Sequence, residues 1–284
     1  MKKYLILGVN GMAGHMIAQY MIENNRSVTG FARKPSEICK TIIGDATKEE
    51  LFEALYSDEY DVVVNAIGIL NKNVDENEET GKYINGELPH IIAKKLENTK
   101  TKLIHISTDC VFDGERGAYR EDDLPNAKSL YGITKSLGEV KDSRNLTIRT
   151  SIIGPELKSD GIGLFHWFMS QNTEVMGYRN AIWTGVTTLQ LAKFICEDEQ
   201  INITGLVHLC NNKKISKYEL IGLFNKYCRN DKVDILDDRK VKVDKSLIST
   251  RKDFRYDVPD YEDMVVEMAE WIRQHPALYK QYLH

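Results

Sequence analysis

Apolar and polar positions along the chain alternate between two periods. Short apolar runs at Tyr4 to Leu7, Ser27 to Ala32, Thr41 to Ile43, Asp61 to Ala66, Lys102 to Ser107 and Leu146 to Thr150 have the length and composition of buried strands. Between them, Met12 to Asn24, Lys48 to Tyr56, Pro89 to Asn98 and Leu130 to Lys141 carry the spacing of helices with one apolar face. Strand and helix in succession predict βαβ units, a parallel sheet covered on both faces, and so a doubly wound α/β fold. Thr47, with Glu50 three residues on, predicts a capping box opening the second helix. After Thr150 the rhythm loosens. Leu164 to Met169 is apolar and aromatic, a polar loop runs up to Ala181, Thr188 to Cys196 reads as a helix, and Leu206 to Leu209 as a late strand returning to the sheet. Helices at Tyr218 to Cys228 and Tyr261 to Arg273 then build a smaller lobe. The expected division is residues 1–150 plus about 183–212 for the sheet domain, and about 151–182 plus 213–284 for the lobe.

Composition narrows the class. The 284 residues, 42% hydrophobic and 28% charged, can bury a sizeable core. A net charge of -4 and a pI near 6.0 give no general attraction to nucleic acid or to an anionic membrane. Cys39, Cys110, Cys196, Cys210 and Cys228 are odd in number and lack short paired spacings, so neither a disulfide framework nor a metal site is expected, and a reducing cytoplasm is. Tyr4 to Ile22 could mimic a leader or membrane segment, but three glycines, Asn10, His15 and Gln19 interrupt it, and it reads as strand, turn and helix. The acidic run Asp75 to Glu79 reads as a solvated face.

The first strand runs into Gly8-Val9-Asn10-Gly11-Met12-Ala13-Gly14 and then a helix. Glycines at this spacing let the backbone turn and approach a pyrophosphate, whose charge the free N–H groups of the helix start favour. The second strand ends Gly30-Phe31-Ala32-Arg33-Lys34, without the carboxylate that binds the ribose hydroxyls of NAD. Arg33 and Lys34 can instead receive a ribose phosphate, so NADPH is the expected cofactor, with NADH and a merely solvated basic turn as the alternatives. Asp45 and Ala46 after the third strand are expected near the adenine. Asn65, Ala66, Ile67 and Gly68 after the fourth are expected to let the dinucleotide lie close to the backbone.

Tyr131-Gly132-Ile133-Thr134-Lys135 carries the chemistry. Four residues apart on a helix, Tyr131 and Lys135 share a face, and an ammonium beside a phenol is expected to lower the phenol's pKa and make it a proton donor. Thr108, 23 residues earlier and at a strand end, can hydrogen-bond the same substrate oxygen. Hydroxyl, phenol and ammonium together suit reduction of a carbonyl.

Gly8 to Gly14, Thr108, and Tyr131 with Lys135 resemble the extended short-chain dehydrogenase/reductases. "STDCVFDG", "YGITKSLGE" and "RTSIIGPE" are similar to the dTDP-4-dehydrorhamnose reductase group, whose members reduce the C4 ketone of nucleotide-linked 6-deoxy sugars. The resemblance implies Thr108, Tyr131 and Lys135 as the catalytic set, Lys135 also holding the nicotinamide ribose, and Asn85 in the region that supports that lysine. It implies a nucleotide-sugar substrate and a product used for a surface polysaccharide. Sister dehydratases place an Asp-Glu pair after the catalytic threonine; here the pair is Asp109-Cys110, which disfavours dehydration. Reductases of the group usually carry tyrosine at the second position, so cysteine leaves the exact sugar open. Cys110 reads as a pocket wall rather than a nucleophile.

In the second lobe, Trp183 is a candidate for packing against the sugar or base, with a core position as the other reading. Lys245 and Arg251 are candidates for the substrate's diphosphate, with a solvated basic loop as the other. Arg149 reads as a structural ion pair, and His90, His166 and His208 as structural. The carrier is dTDP or UDP, the latter with 2-acetamido-2,6-dideoxy sugars. A C4 epimerase and a non-catalytic NADP-binding sensor or subunit are the competing readings, and a homodimer is left open.

Overall fold

The computed structural model describes residues 1–283. Strands β1 (Lys3–Leu7), β2 (Ser27–Ala32), β3 (Thr41–Ile43), β4 (Val62–Asn65), β5 (Lys102–Thr108) and β6 (Leu146–Thr150) are joined by the late strand Gly205–His208 in one seven-stranded sheet. Every pairing is parallel. Both faces are covered, so alternate side chains of one strand enter different cores. Tyr4 and Ile6 pack with α1 (Met12–Glu23) on one side, while Leu5 and Leu7 pack with α2 (Glu49–Leu55) on the other. Leaving β1, the chain builds β2 and β3 on one side; β4, β5, β6 and the late strand lie on the other. The carboxyl ends of β1 and β4 therefore flank the crevice where doubly wound sheets bind ligands.

Helices α3 (Asn71–Glu76), α4 (Glu78–Gly81) and α5 (Leu88–Leu96) follow β4, with a π-helical turn Lys82–Glu87 before α5. The acidic run thus lies largely on short helices. Helix α6 (Leu130–Leu137) stops four residues before the expected Lys141. A Cβ on Gly138 would lie 2.0 Å from the Asn85 carbonyl oxygen, and one on Gly132 would lie 2.1 Å from that of Cys110. Both ends of α6 thus touch neighbouring backbone directly, and the helix stops at Leu137, just before the contact at Gly138.

The lobe is built from α7 (Leu164–Met169), α9 (Lys217–Cys228) and α10 (Tyr261–Gln274), while α8 (Thr188–Cys196) packs on α1 beneath the sheet. Inside the stretch expected as a polar loop lies a strand, Glu174–Tyr178, paired in parallel with Asp234–Asp238. Phe165, Phe168, Phe224 and Met264 share one continuous apolar core with the sheet. Among the described residues no helix is long and apolar enough to cross a membrane.

The capping box at Thr47 does not form. The Thr47 amide and hydroxyl both donate to Asp45 Oδ1, at 2.8 Å each, and α2 starts after Lys48 without a side-chain cap. A capping box does open α9, where Ser216 and Glu219 exchange hydrogen bonds of 3.1 and 3.0 Å. Gly132→Ala is expected to lower unfolding stability by about 1–3 kcal/mol, the range of an overpacked contact. An unchanged denaturant midpoint would mean that α6 is free to move off the Cys110 carbonyl.

Candidate active site

Gly8 leaves β1 at φ +80°, and a Cβ on Gly14 would lie 2.2 Å from the Gly8 carbonyl oxygen, so this turn needs glycine at both positions. Helix α1 then begins at Met12 with no side-chain cap and no acidic residue in its first turn, which leaves its amino end open to an anion. Asn10 Nδ2 donates to the carbonyls of Lys34 (2.9 Å) and Pro35 (3.2 Å), tying the glycine loop to the basic turn after β2. Arg33 and Lys34 are exposed, and neither forms an ion pair among the described residues. An uncapped helix start beside two unpaired cations fits a dinucleotide carrying an extra phosphate.

Asp45 lies across the same crevice, half-buried, its carboxyl held below the usual range by its bonds to Thr47, with a smaller pull from Arg33. Ala46 beside it is buried in the sheet core. Ala66 and Ile67 close against Gly8: a Cβ there would meet Ile67 Cγ1 at 3.1 Å, and Gly68 beyond them is exposed. Asn65, expected at the cofactor, is instead fully buried. It donates to His105 Nδ1 at 3.2 Å and accepts from the Ile67 amide at 3.1 Å, shaping the loop from beneath. Asn85 is likewise committed to the protein. Its side chain bonds both the amide and the carbonyl of Ile69, at 2.9 Å each, and Thr134 Oγ1 on α6 at 3.3 Å.

Thr108 ends β5, and its Oγ1 accepts the Cys110 amide and donates to Asp109 Oδ1, both at 3.1 Å. Ser129 caps α6 through the Gly132 amide, and the Gly132 contact brings Tyr131 up to Thr108. Lys135, one turn on, is buried and donates to the Ile106 carbonyl at 2.8 Å. Burial lowers Lys135 to about 8, against a smaller upward pull from Glu139. The expectation for Tyr131 is reversed. Burial pushes the phenol well above its usual value, the charges of Cys110 and Asp109 add to this, and only a hydrogen bond with Thr108 pulls the other way. A phenolate in this pocket loses more solvation than the ammonium returns.

Asp109 is buried and raised by that burial, against the charges of Lys245 and Lys217. Burial, with Asp109 beside it, raises Cys110 to about 11, so its thiol stays protonated at neutral pH and belongs to the wall. Lys217, which the sequence pattern gave no reason to single out, also lines a groove of about 490 Å³ together with Trp167, Gln171, Met176 and Tyr178. Lys245 is held between Asp244, whose amide donates to the Gly114 carbonyl (2.7 Å), and Ser246, whose carbonyl accepts the Tyr119 amide (2.8 Å). The two other lobe candidates lie elsewhere. Trp183 is only 4% exposed, its ring against Tyr261 in the core. Arg251 is spent on Asp253 and on the carbonyls of Thr204 and Leu206, at the edge of the sheet. Arg149 and Glu139 form the expected ion pair, both side chains fully buried. His90, His166 and His208 each bond within the protein.

Residues 1–243 match the family model described as RmlD substrate binding domain. The chain is 33% identical over 140 residues to the "Probable low-salt glycan biosynthesis reductase Agl14" of Haloferax volcanii, a match covering 47% of this chain and 46% of that protein. It is 24% identical over 235 residues to "Methionine adenosyltransferase 2 subunit beta" of Bos taurus, covering 77% of this chain and 70% of that one. The chain thus spans less than half the length of the first of these relatives. Among solved structures, the dTDP-4-dehydrorhamnose reductase of Bacillus anthracis in complex with NADP has the same fold, with a TM-score of 0.79 and 19% identity over 94% of this chain and 98% of that one.

At pH 8 the Cys110 thiol is expected to resist iodoacetamide in the folded protein and to react as pH approaches 11, followed by peptide mass spectrometry. Rapid alkylation at pH 7 would mean that a thiolate stands beside Thr108.

Proposed function

We propose that this chain, which belongs to the RmlD substrate binding domain family, reduces the C4 ketone of a nucleoside-diphosphate 4-keto-6-deoxyhexose with NADPH. The observation that carries the proposal is the meeting of Thr108, Tyr131 and Lys135 at the carboxyl end of β5, beside the crevice with the glycine loop. NADPH, when bound, supplies the hydride. The residues that would hold it are Gly8, Asn10, Gly11, Met12 and Gly14 at the pyrophosphate, Arg33 and Lys34 at the ribose phosphate, Asp45 and Ala46 at the adenine side, and Ala66, Ile67 and Gly68 along the β4 loop. The Bacillus anthracis neighbour, crystallised with NADP, supports this choice of cofactor.

Reduction requires a proton as well as a hydride. Tyr131, raised by its surroundings, holds its proton throughout the neutral range, which is the form an acid must start from. A developing alkoxide is far more basic than a phenolate, so transfer from Tyr131 to the C4 oxygen runs downhill even from a raised pKa. Thr108 is the second group at that oxygen, and Lys135, at about 8, is an ammonium at pH 7 and stabilises the phenolate as it forms. Residues 1–150 with about 183–212 would hold the cofactor, and the remainder the sugar nucleotide. The groove beside Lys217, with Trp167 and Tyr178 exposed along it, suits a base and a diphosphate, and Lys245, which acts on Asp109 together with Lys217, is the second cation for it. Five free thiols accord with a reducing cytoplasm.

A second reading, a non-catalytic NADP-binding subunit, is favoured by the likeness to the bovine transferase subunit over 77% of this chain. Epimerisation at C4 depends on retained NAD, and the unpaired Arg33 and Lys34 weigh against it.

NADPH consumption is expected with a dTDP- or UDP-linked 4-keto-6-deoxy sugar, and turnover on one carrier identifies the nucleotide. Tyr131→Phe should lower kcat by ~10²- to 10⁴-fold with NADPH binding retained. Full turnover in that variant would remove Tyr131 as the acid, and NADPH binding with no oxidation on either carrier would favour the subunit reading. Replacing Arg33 and Lys34 by alanine is expected to weaken NADPH by roughly 10- to 100-fold and to leave NADH affinity unchanged, by calorimetry. Equal loss for both would mean that the basic turn does not meet the phosphate.

A further inference from the structure

Glu139 lies just past the end of α6, four residues beyond Lys135, with its carboxylate fully buried. One oxygen, Oε1, accepts from Ser107 Oγ at 2.9 Å and from Arg149 Nε at 2.7 Å; the other, Oε2, accepts from Arg149 Nη2 at 2.6 Å. Lys141, half-exposed, lies 3.1 Å from Oε2. Arg149 in turn meets His208 Nε2 at 2.9 Å, and His208 Nδ1 donates to the Ile248 carbonyl of the second lobe at 3.0 Å. Lys135 and Glu139 therefore grip consecutive residues of one strand end. Lys135 takes the Ile106 carbonyl, Glu139 takes the Ser107 hydroxyl, and Thr108 comes next.

We propose that Glu139 is a positioning residue for the reduction: it fixes the end of β5 through Ser107 and supplies the buried negative charge against which Lys135 remains an ammonium. This rests on the reductase reading for its consequence in turnover, but not for the charge on Lys135. The case is first geometric: Lys135 and Glu139 stand four residues apart, both buried, and bond the adjacent β5 residues Ile106 and Ser107. A buried ammonium needs a counter-charge, and the groups around Lys135 offer few: Tyr131 on the same helix holds its proton, and His105 on β5, buried, is held neutral by desolvation and by Lys135 itself. His90 on α5 acts on His105 rather than on Lys135. Glu139 is the charged group that opposes the desolvation of Lys135, and it is itself kept ionised by Arg149, Lys141 and Ser107. Arg149 holds Glu139 in place and, being a cation, adds nothing to the field that keeps Lys135 protonated.

The sign follows. Without the carboxylate, the ammonium loses its favourable field, so Lys135 gives up its proton at lower pH and the alkaline limb of turnover moves down. Glu139→Gln leaves Arg149 buried and unpaired, so loss of stability alone would be ambiguous. The double variant Glu139→Gln with Arg149→Met removes both charges, a change that buried ion pairs commonly tolerate. The measurement is the Lys135 titration, by NMR of the full chain carrying ¹³C-ε lysine and assigned with Lys135→Met, which needs neither substrate nor cofactor. The pH profile of kcat is recorded alongside. A fall in the Lys135 midpoint of about one unit or more in both variants, with kcat lost at correspondingly lower pH, is expected. A midpoint unmoved in either variant, or restored to the wild-type value in the double variant, would overturn the proposal and leave Glu139 a structural partner of Arg149. A wild-type protein that reduces no sugar nucleotide, with the Lys135 midpoint still lowered in both variants, would remove the reductase reading and keep the charge assignment.

Discussion

Helix α6 lies against the end of β5 and against the π-helical turn with no side chain between, and the geometry of the site is set by that contact. At Gly132 the neighbour is the Cys110 carbonyl, and at Gly138 the Asn85 carbonyl. A helix held one side-chain layer further out would carry Tyr131 and Lys135 away from Thr108 and the Ile106 carbonyl by several ångströms, since interhelical and helix–sheet spacing is set by the side chains at the contact. Asn85 reinforces the placement by bonding the β4 loop and α6 at once. The loop after β4 and the helix that carries Tyr131 and Lys135 are thus registered against each other by backbone contact and one amide side chain.

Close packing creates an electrostatic problem, because it buries a lysine, a tyrosine, an aspartate, a glutamate and an arginine within a few residues of one strand end. Each would cost several kcal/mol if left charged and alone. The Glu139–Arg149 pair resolves part of it, and the resolution reaches the second lobe. Arg149 lies 4.9 Å over the Phe112 ring, Phe112 stacks on Tyr119 at 4.0 Å, and Tyr119 is bonded through its backbone to Ser246 and Ile248, which follow directly on Lys245. The ion pair beneath the sheet end and the segment that carries Lys245 are therefore joined by one continuous chain of contacts.

The sheet was legible because its strands are buried on both faces and its turns carry glycine. The runs at Ser27–Ala32, Thr41–Ile43 and Leu146–Thr150 coincide with the observed strands residue for residue. Glu174–Tyr178 was hidden because its exposed positions carry Met176 and Tyr178 while a buried one is Gly177, so no apolar alternation marks it, and its partner strand lies 60 residues later. Thr47 misled because capping depends on which oxygen the threonine meets first, and Asp45 stands two residues away. Tyr131 and Lys135 were found from helical spacing, but the shift of the phenol was not. Spacing reports proximity, while the direction of a pKa depends on how much water the fold removes. Glu139 closes the "YGITKSLGE" stretch, yet the sequence pattern gives neither it nor Lys217 a role, since a lone carboxylate and a lone lysine gain meaning only from the Ser107, Arg149 and Asp109 that the fold sets beside them.

The pair after Thr108 is where the proposed reduction parts from its nearest competitor. Loss of water across C5 and C6 needs one group to take a proton and another to give one, both titrating near neutral pH. Asp109, buried and raised, could serve as one of them. Cys110 cannot serve as the other, because a thiol at about 11 is too weak an acid to give its proton and holds too little thiolate to take one. The proposed reduction asks for neither, because it takes its single proton from Tyr131. With that demand absent, Asp109 is left as the buried partner on which the charges of Lys245 and Lys217 act. The proposed reduction thus uses only the hydroxyl of the three groups that close β5, while the carboxyl answers to Lys245 and Lys217 and the thiol stays protonated in the wall.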